Sequence, residues 1–166
     1  MRPSPLGVIV MSMRRCLLLL AVLLVSAPAT SVALAATQNG TRGPDSLQGG
    51  PEADLLSGRG GDDRLIGAAG DDVLNGGSGD DLLGGDAGDD ILRGGPGADT
   101  LLGGGGNDRL VGGPGMDIIV GGAGNDRIFA RDGEVDRISC GPGRRDRVEA
   151  DRVDRVAKDC ERVLRR

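Results

Sequence analysis

Ten nine-residue units that follow one another from Gly40 to Phe129 without insertion or deletion predict an all-β solenoid, in which one short unit is stacked on copies of itself. Three observations carry the expectation. Position 1 is Gly in every unit: Gly40, Gly49, Gly58, Gly67, Gly76, Gly85, Gly94, Gly103, Gly112 and Gly121. Position 6 is Asp in every unit: Asp45, Asp54, Asp63, Asp72, Asp81, Asp90, Asp99, Asp108, Asp117 and Asp126. Position 8 is always a branched aliphatic (Leu47, Leu56, Leu65, Leu74, Leu83, Leu92, Leu101, Leu110, Ile119, Ile128), and position 4 is Gly except at Glu52.

Ahead of the repeats, residues 1–36 contain no acid. They run from Arg14-Arg15 through an apolar stretch, Cys16 to Val25, to small residues ending Ala33-Leu34-Ala35. A basic segment, a short apolar core and an A-x-A site describe a secretory signal peptide over 1–35, cut after Ala35, and residues 36–39 then form a short lead. Met11 or Met13 would serve as a start, and the arginine pair fits twin-arginine export as well as an ordinary basic segment. The alternative is a retained anchor, because Cys16 to Ala36 is 21 uncharged residues. Pro28 and the Ala, Ser and Thr around it count against an anchor.

Removing the peptide leaves about 131 residues, enough for one domain. Charge is unevenly spread over them: 40–129 hold 16 acids and 6 bases, whereas 130–166 hold 9 acids and 11 bases. An acidic array repels nucleic acid and anionic lipid unless cations neutralise it. Trp, Tyr and His are absent and Phe129 is the sole aromatic, so no platform for stacked bases exists. Neither nucleic acid nor, once the peptide is removed, a membrane is an expected partner; the mature chain is expected outside the cell.

Within each unit the first six residues are glycine-rich and the last three are strand-like, as in Asp89-Asp90-Ile91-Leu92-Arg93. Glycine at positions 1 and 4 permits positive φ and close backbone approach, so six residues turn and three extend. The stretches Gly76-Gly77-Ser78-Gly79-Asp80-Asp81-Leu82-Leu83 and Gly121-Gly122-Ala123-Gly124-Asn125-Asp126-Arg127-Ile128 fit the pattern G-G-x-G-x-D-x-U-x residue for residue. In this the chain resembles the RTX, or haemolysin-type, calcium-binding nonapeptide repeat family, as a standalone secreted member, over 90 of its 166 residues. The resemblance implies a right-handed parallel β-roll with two successive units per coil. Ten units then give about five calcium-binding coils at ~4.8 Å spacing, a rod on the order of 25 Å long. Position 8 points inward and positions 7 and 9 outward, so the core is a double row of Leu and Ile.

Stacking in that geometry sets the turn of one unit over the turn two units on. Asp45, Asp63, Asp81, Asp99 and Asp117 would line one side, and Asp54, Asp72, Asp90, Asp108 and Asp126 the other. Such columns repel themselves unless a cation sits between them. Calcium takes six to eight oxygens, carboxylate and carbonyl alike, and glycine turns expose their carbonyls. Soft and imidazole ligands are missing from the repeats, which argues against zinc or copper. Four gaps on each side cap the count at about eight ions. Glu52 at position 4, and Arg59, Ala68 and Asp86 at position 2, should weaken some sites. Asp or Asn at position 5 (Asp62, Asp71, Asp80, Asp89, Asn107, Asn125) adds oxygen, while Pro44, Ala53, Ala98 and Met116 do not, so the strongest sites are expected from Asp63 to Asp90. A metal-free glycine-rich fibre would have no need of Asp at every sixth position. Phosphate loops, collagen and EF-hands are excluded by the lone Lys158, by the period of nine, and by the spacing of the acids.

Residues 130–166 are read as a C-terminal cap, since open strand edges invite pairing with other chains. Arg131 to Ser139 keeps the register with Asp136 and Ile138, and Gly141 to Glu149 with Asp146 and Val148; Ala130 and Cys140 are single insertions. Arg144 or Arg145 is expected to replace calcium beneath the Asp126 turn, a solvated charge run being the alternative. Once Cys16 leaves with the signal peptide, Cys140 and Cys160 remain. An even count in an exported chain and a spacing near one 18-residue coil predict a disulfide between them. Val153, Val156, Cys160 and Val163 could instead mark one face of a short helix.

The function that follows is calcium binding, with the ions as structural staples required for folding. RTX repeats usually accompany a toxin, protease or lipase domain. None is legible in these 166 residues, so no such activity is carried over. A calcium-dependent surface adhesion or self-assembly module is the alternative, with Leu55, Val73 and Ile91 as an outward apolar stripe. A β-helical polysaccharide-active enzyme using paired acids ranks below both, because ten equivalent Asp residues single out no catalytic centre.

Overall fold

The computed structural model describes residues 35–143 and 145–166. The signal peptide up to Leu34 and the role given to Arg144 lie outside the described residues.

Among the described residues every regular element is a strand. One sheet contains eight: β1 (Thr37–Asn39), β3 (Leu55–Gly60), β5 (Val73–Ser78), β7 (Ile91–Arg93), β9 (Arg109–Val111), β11 (Arg127–Ala130), β13 (Arg147–Ala150) and β15 (Arg162–Arg165). The other contains seven: β2 (Ser46–Gln48), β4 (Arg64–Ala69), β6 (Leu82–Ala87), β8 (Thr100–Gly105), β10 (Ile118–Ala123), β12 (Arg137–Ser139) and β14 (Arg155–Val156). Every pairing is parallel, and through the repeats each residue faces the one 18 positions on, as Leu56 faces Leu74 and Leu74 faces Leu92. The chain is thus a parallel β-solenoid with two units per coil.

The coil number needs correcting from about five to about seven. The repeats supply the five expected, and the tail winds on two more through β12 to β15. Its Ile138, Val148, Val156 and Val163 continue the two inward aliphatic rows, which draws the chain into further coils. The helix alternative for the tail does not form. Val156 and Val163 lie in β14 and β15 against the core, and Val153 is exposed.

Position 8 carries the core as expected. From Leu56 to Ile128 all nine side chains are fully buried, whereas Leu47 is only partly so because β2 has a neighbour on one side alone. Several strands of the repeats run longer than three residues. β3, β4, β5, β6, β8 and β10 extend six residues, into positions 1 to 3 of the next unit. The ladder there uses the position 3 N–H, as when Ala69 donates to the Gly50 carbonyl at 3.1 Å. Where position 3 is Pro51, Pro96 or Pro114 that donor is missing, and β2, β7 and β9 stop after three residues. Proline thus shortens these three strands of the repeats.

Cys140 and Cys160 form the expected disulfide, with Cα atoms 5.1 Å apart. The bond joins the end of β12 to the segment before β15, with Cys140 fully buried. Closing this loop is worth roughly 3 kcal/mol. Cys160→Ser should therefore lower the thermal midpoint even in saturating calcium, as measured by circular dichroism, and an unchanged midpoint would contradict the bond's role.

Candidate metal centre

The turns are built so that each position 6 carboxylate is fixed at one oxygen and free at the other. The backbone is set first, because the position 7 N–H donates to the position 6 carbonyl of the preceding coil, as Leu82 does to Asp63 at 2.8 Å. Next, the N–H of each position 6 Asp donates to Oδ1 of the Asp one coil further on. Asp45 donates to Asp63, Asp63 to Asp81, Asp81 to Asp99 and Asp99 to Asp117, all at 2.8 to 2.9 Å. On the other side Asp54 donates to Asp72, Asp72 to Asp90, Asp90 to Asp108 and Asp108 to Asp126, at 2.7 to 2.9 Å. The ten Asp residues therefore stand in the two expected files.

Both files run further than the repeats. Asp117 continues to Asp136 and Asp154, and Asp126 to Asp146 and Glu161. Asp136 and Asp146 occupy position 6 of the two degenerate units. Asp154 and Glu161 escaped sequence reasoning. Asp154 keeps the 18-residue step and could have been found by it, but Glu161 follows Asp146 by only 15 residues.

The second oxygen is the informative atom. In Asp63, Asp72, Asp81, Asp90, Asp99, Asp108, Asp117, Asp126, Asp136 and Asp146, Oδ2 is buried and has no hydrogen-bond partner. Leaving one such oxygen dry and unpaired costs about 1 to 3 kcal/mol or more. The first two turns differ. Oδ2 of Asp45 accepts from the Thr41 N–H at 2.5 Å and from its hydroxyl at 3.0 Å, and Oδ2 of Asp54 accepts from the Gly50 N–H at 2.5 Å. These turns also lack positive φ at position 4, at Gly43 and Glu52, where all eight later units have it. The expected strain at Glu52 is thus avoided by a different turn. Arg59, Ala68 and Asp86 instead accept φ of 78°, 87° and 72°.

Backbone oxygens complete the surroundings. Position 1 glycine lies against Oδ2 of its own unit and the position 1 carbonyl of the next coil: a Cβ built on Gly94 would meet Asp99 Oδ2 and, at 2.7 Å, the Gly112 oxygen. The position 4 carbonyls of Gly61 and Gly79 face the position 4 glycines of the following coils. Outside them, position 5 residues form two exposed files, Asp62 and Asp80 on one side and Asp71, Asp89 and Asn107 on the other, each Oδ1 accepting the N–H one coil on. Among the described residues no group of three or more His, Cys, Asp or Glu side chains is arranged to hold a metal alone. Any ion here must take carbonyl as well as carboxylate oxygen. Calcium does so, and the donor set fits it.

The electrostatics of the two files favour a neutralising partner, proton or cation. Burial, opposed by the backbone hydrogen bond and reinforced by neighbouring carboxylates, pushes Asp90, Asp99 and Asp136 up to about 6 and Asp108 and Asp117 up to about 7. Asp72, Asp81, Asp126 and Asp146 are raised for the same first reason. Because the folded state holds protons that the unfolded chain releases near 3.8, stability without calcium should increase as pH falls from about 7 toward 4. With calcium present the dependence should reverse, since protons compete for the same oxygens. Urea melts of decalcified and calcium-saturated protein at pH 7.5 and pH 5 check both signs.

The expected replacement of calcium by arginine beneath Asp126 is not supported at Arg145, which is exposed. Among the described residues its guanidinium forms no ion pair, and Asp146 keeps the same unpaired Oδ2 as the repeats.

The sequence model of the family described as RTX calcium-binding nonapeptide repeat (4 copies) matches residues 39–74, 48–83, 57–92, 84–115 and 111–134. These overlapping windows run from 39 to 134, more than half of the chain. No curated protein matches it.

Proposed function

Since the chain belongs to the RTX calcium-binding nonapeptide repeat family, we propose that it is an exported calcium-binding β-roll whose ions, held between stacked turns, are required for folding. The observation that carries this reading is the set of repeat carboxylates, Asp63 to Asp126, whose Oδ2 atoms are buried without a partner. All ten repeat Asp residues are assigned as ligands, with Asp45 and Asp54 the weakest because their own turns already bond Oδ2. At most about eight ions are expected within the repeats. The chemistry calcium supplies is charge neutralisation and cross-linking of neighbouring coils, and the role is structural rather than catalytic. Export follows from the signal-peptide pattern ahead of Ala36 and agrees with the disulfide, which an oxidising compartment maintains.

Calorimetric titration of the chain from Ala36 onward tests the binding. Several calcium ions should bind cooperatively, and magnesium should bind far more weakly, because it demands tight octahedral geometry and sheds water reluctantly. Absence of calcium binding, or equal binding of magnesium, would contradict the reading.

A further inference from the structure

On the eight-stranded sheet the outward position 7 column changes character halfway along. It reads Leu55, Val73 and Ile91 on β3, β5 and β7, then Arg109, Arg127, Arg147 and Arg162 on β9, β11, β13 and β15. Four arginines thus stand directly opposite one another on consecutive strands, ~4.8 Å apart, and all four are exposed. Arg145 joins them along a groove of about 560 Å³. The one acid lining that groove, Asp108, is buried, with its carboxylate in the metal file.

Like charges directly opposite across parallel strands repel, and the chain does little to offset them. Among the described residues only Arg147 of these five pairs with a carboxylate, Glu149 at 3.1 Å, while Arg109 lies over the Phe129 ring at 4.2 Å. Protection of the open edge would explain Arg162 on β15, the last strand of this sheet. It does not explain Arg109, three strands inside.

We propose that this arginine ladder binds a linear anionic polysaccharide bearing sulfate or carboxylate groups, laid along the stacking direction of the coils. Guanidinium forks match such groups bidentately, which lysine cannot do, and equally spaced rungs on a flat sheet suit a polymer with a regular charge repeat. Nucleic acid fits less well, because the sole aromatic ring is already covered by Arg109 and offers no face for a base. A lipid surface fits less well because the neighbouring outward column places Glu149 between Phe129 and Leu164.

The test uses the chain from Ala36 onward in saturating calcium, with immobilised dextran sulfate as probe and neutral dextran as reference. Binding to dextran sulfate alone is expected, weakening as salt rises. The double variant Arg127→Glu/Arg147→Glu should lose at least tenfold in affinity. Because each of the four arginines adjoins a file carboxylate, a second variant that removes charge without reversing it, Arg109→Gln/Arg162→Gln, should also lose affinity, with circular dichroism to verify the fold of both. Arg64→Glu on the other sheet should not. No binding at low salt, full affinity in both double variants, an equal loss in Arg64→Glu, or tighter binding of duplex DNA or phosphatidylserine vesicles would overturn the proposal.

Discussion

Gly76→Ala should raise the calcium concentration needed for folding more than tenfold, whereas Gly43→Ala should leave it unchanged or slightly lower. Both are single methyl additions to a glycine of the repeats. At Gly76 the methyl would fall where Asp81 Oδ2 and the Gly94 carbonyl converge, the latter 2.8 Å away. Neither neighbour can yield. The Gly94 carbonyl accepts the Gly77 N–H at 2.9 Å, and Asp81 Oδ1 is tied to the Asp63 N–H at 2.8 Å. Overpacking of this kind costs about 1 to 3 kcal/mol, and here it also displaces a proposed ligand. At Gly43 an added methyl meets nothing within 4 Å and φ is not positive. There Ala should stabilise by about 0.4 to 1 kcal/mol through the unfolded chain. Calcium midpoints of the two variants, read by circular dichroism, separate a steric effect at the site from a general effect of losing glycine. Equal midpoints would contradict the assignment of the position 1 cradle.

The second large effect is on the whole chain. Without calcium the folded state must keep a file of carboxylates dry on each side, with raised proton affinity and no partner for Oδ2. Against this stands an aliphatic core only one side chain deep per strand, on a chain whose glycines lose much conformational entropy when ordered. A site that needs two stacked turns scarcely exists in the unfolded chain, so binding free energy becomes folding free energy. Because coils couple only to their neighbours, the effect of losing a ligand depends on its place. Asp81→Ala, inside the stack, should raise the calcium midpoint by severalfold more than Asp45→Ala, whose carboxylate is already bonded by Thr41 in the first coil.

The repeat made much of this legible before any coordinates. A period of nine with fixed Gly, Asp and aliphatic positions dictates inward aliphatic rows, and the resemblance to RTX repeats, with two units per coil, implied the paired files and the 18-residue register. The order of Asp45 to Asp117 and of Asp54 to Asp126 followed from it. What escaped was governed by exceptions to the period. Pro51, Pro96 and Pro114 shorten β2, β7 and β9 by withholding an N–H, a rule visible only once the ladder is known to pass through position 3. The tail hid its last coil, beyond Glu149, because the shortened step to Glu161 breaks the count, while inward Val156 and Val163 and the hydrogen-bonded files persist. The arginine ladder was present in the sequence as well, but Arg109, Arg127, Arg147 and Arg162 become neighbours only when strands 18, 20 and 15 residues apart are laid side by side.

Far-ultraviolet circular dichroism of the decalcified chain from Ala36 onward, titrated with calcium and separately with magnesium, tests the coupling of binding to folding most directly. A largely disordered spectrum that converts cooperatively to a β-rich one at millimolar calcium, and stays disordered at equal magnesium, is the predicted result. A β-rich spectrum in the decalcified protein at neutral pH that does not change on adding calcium would contradict it.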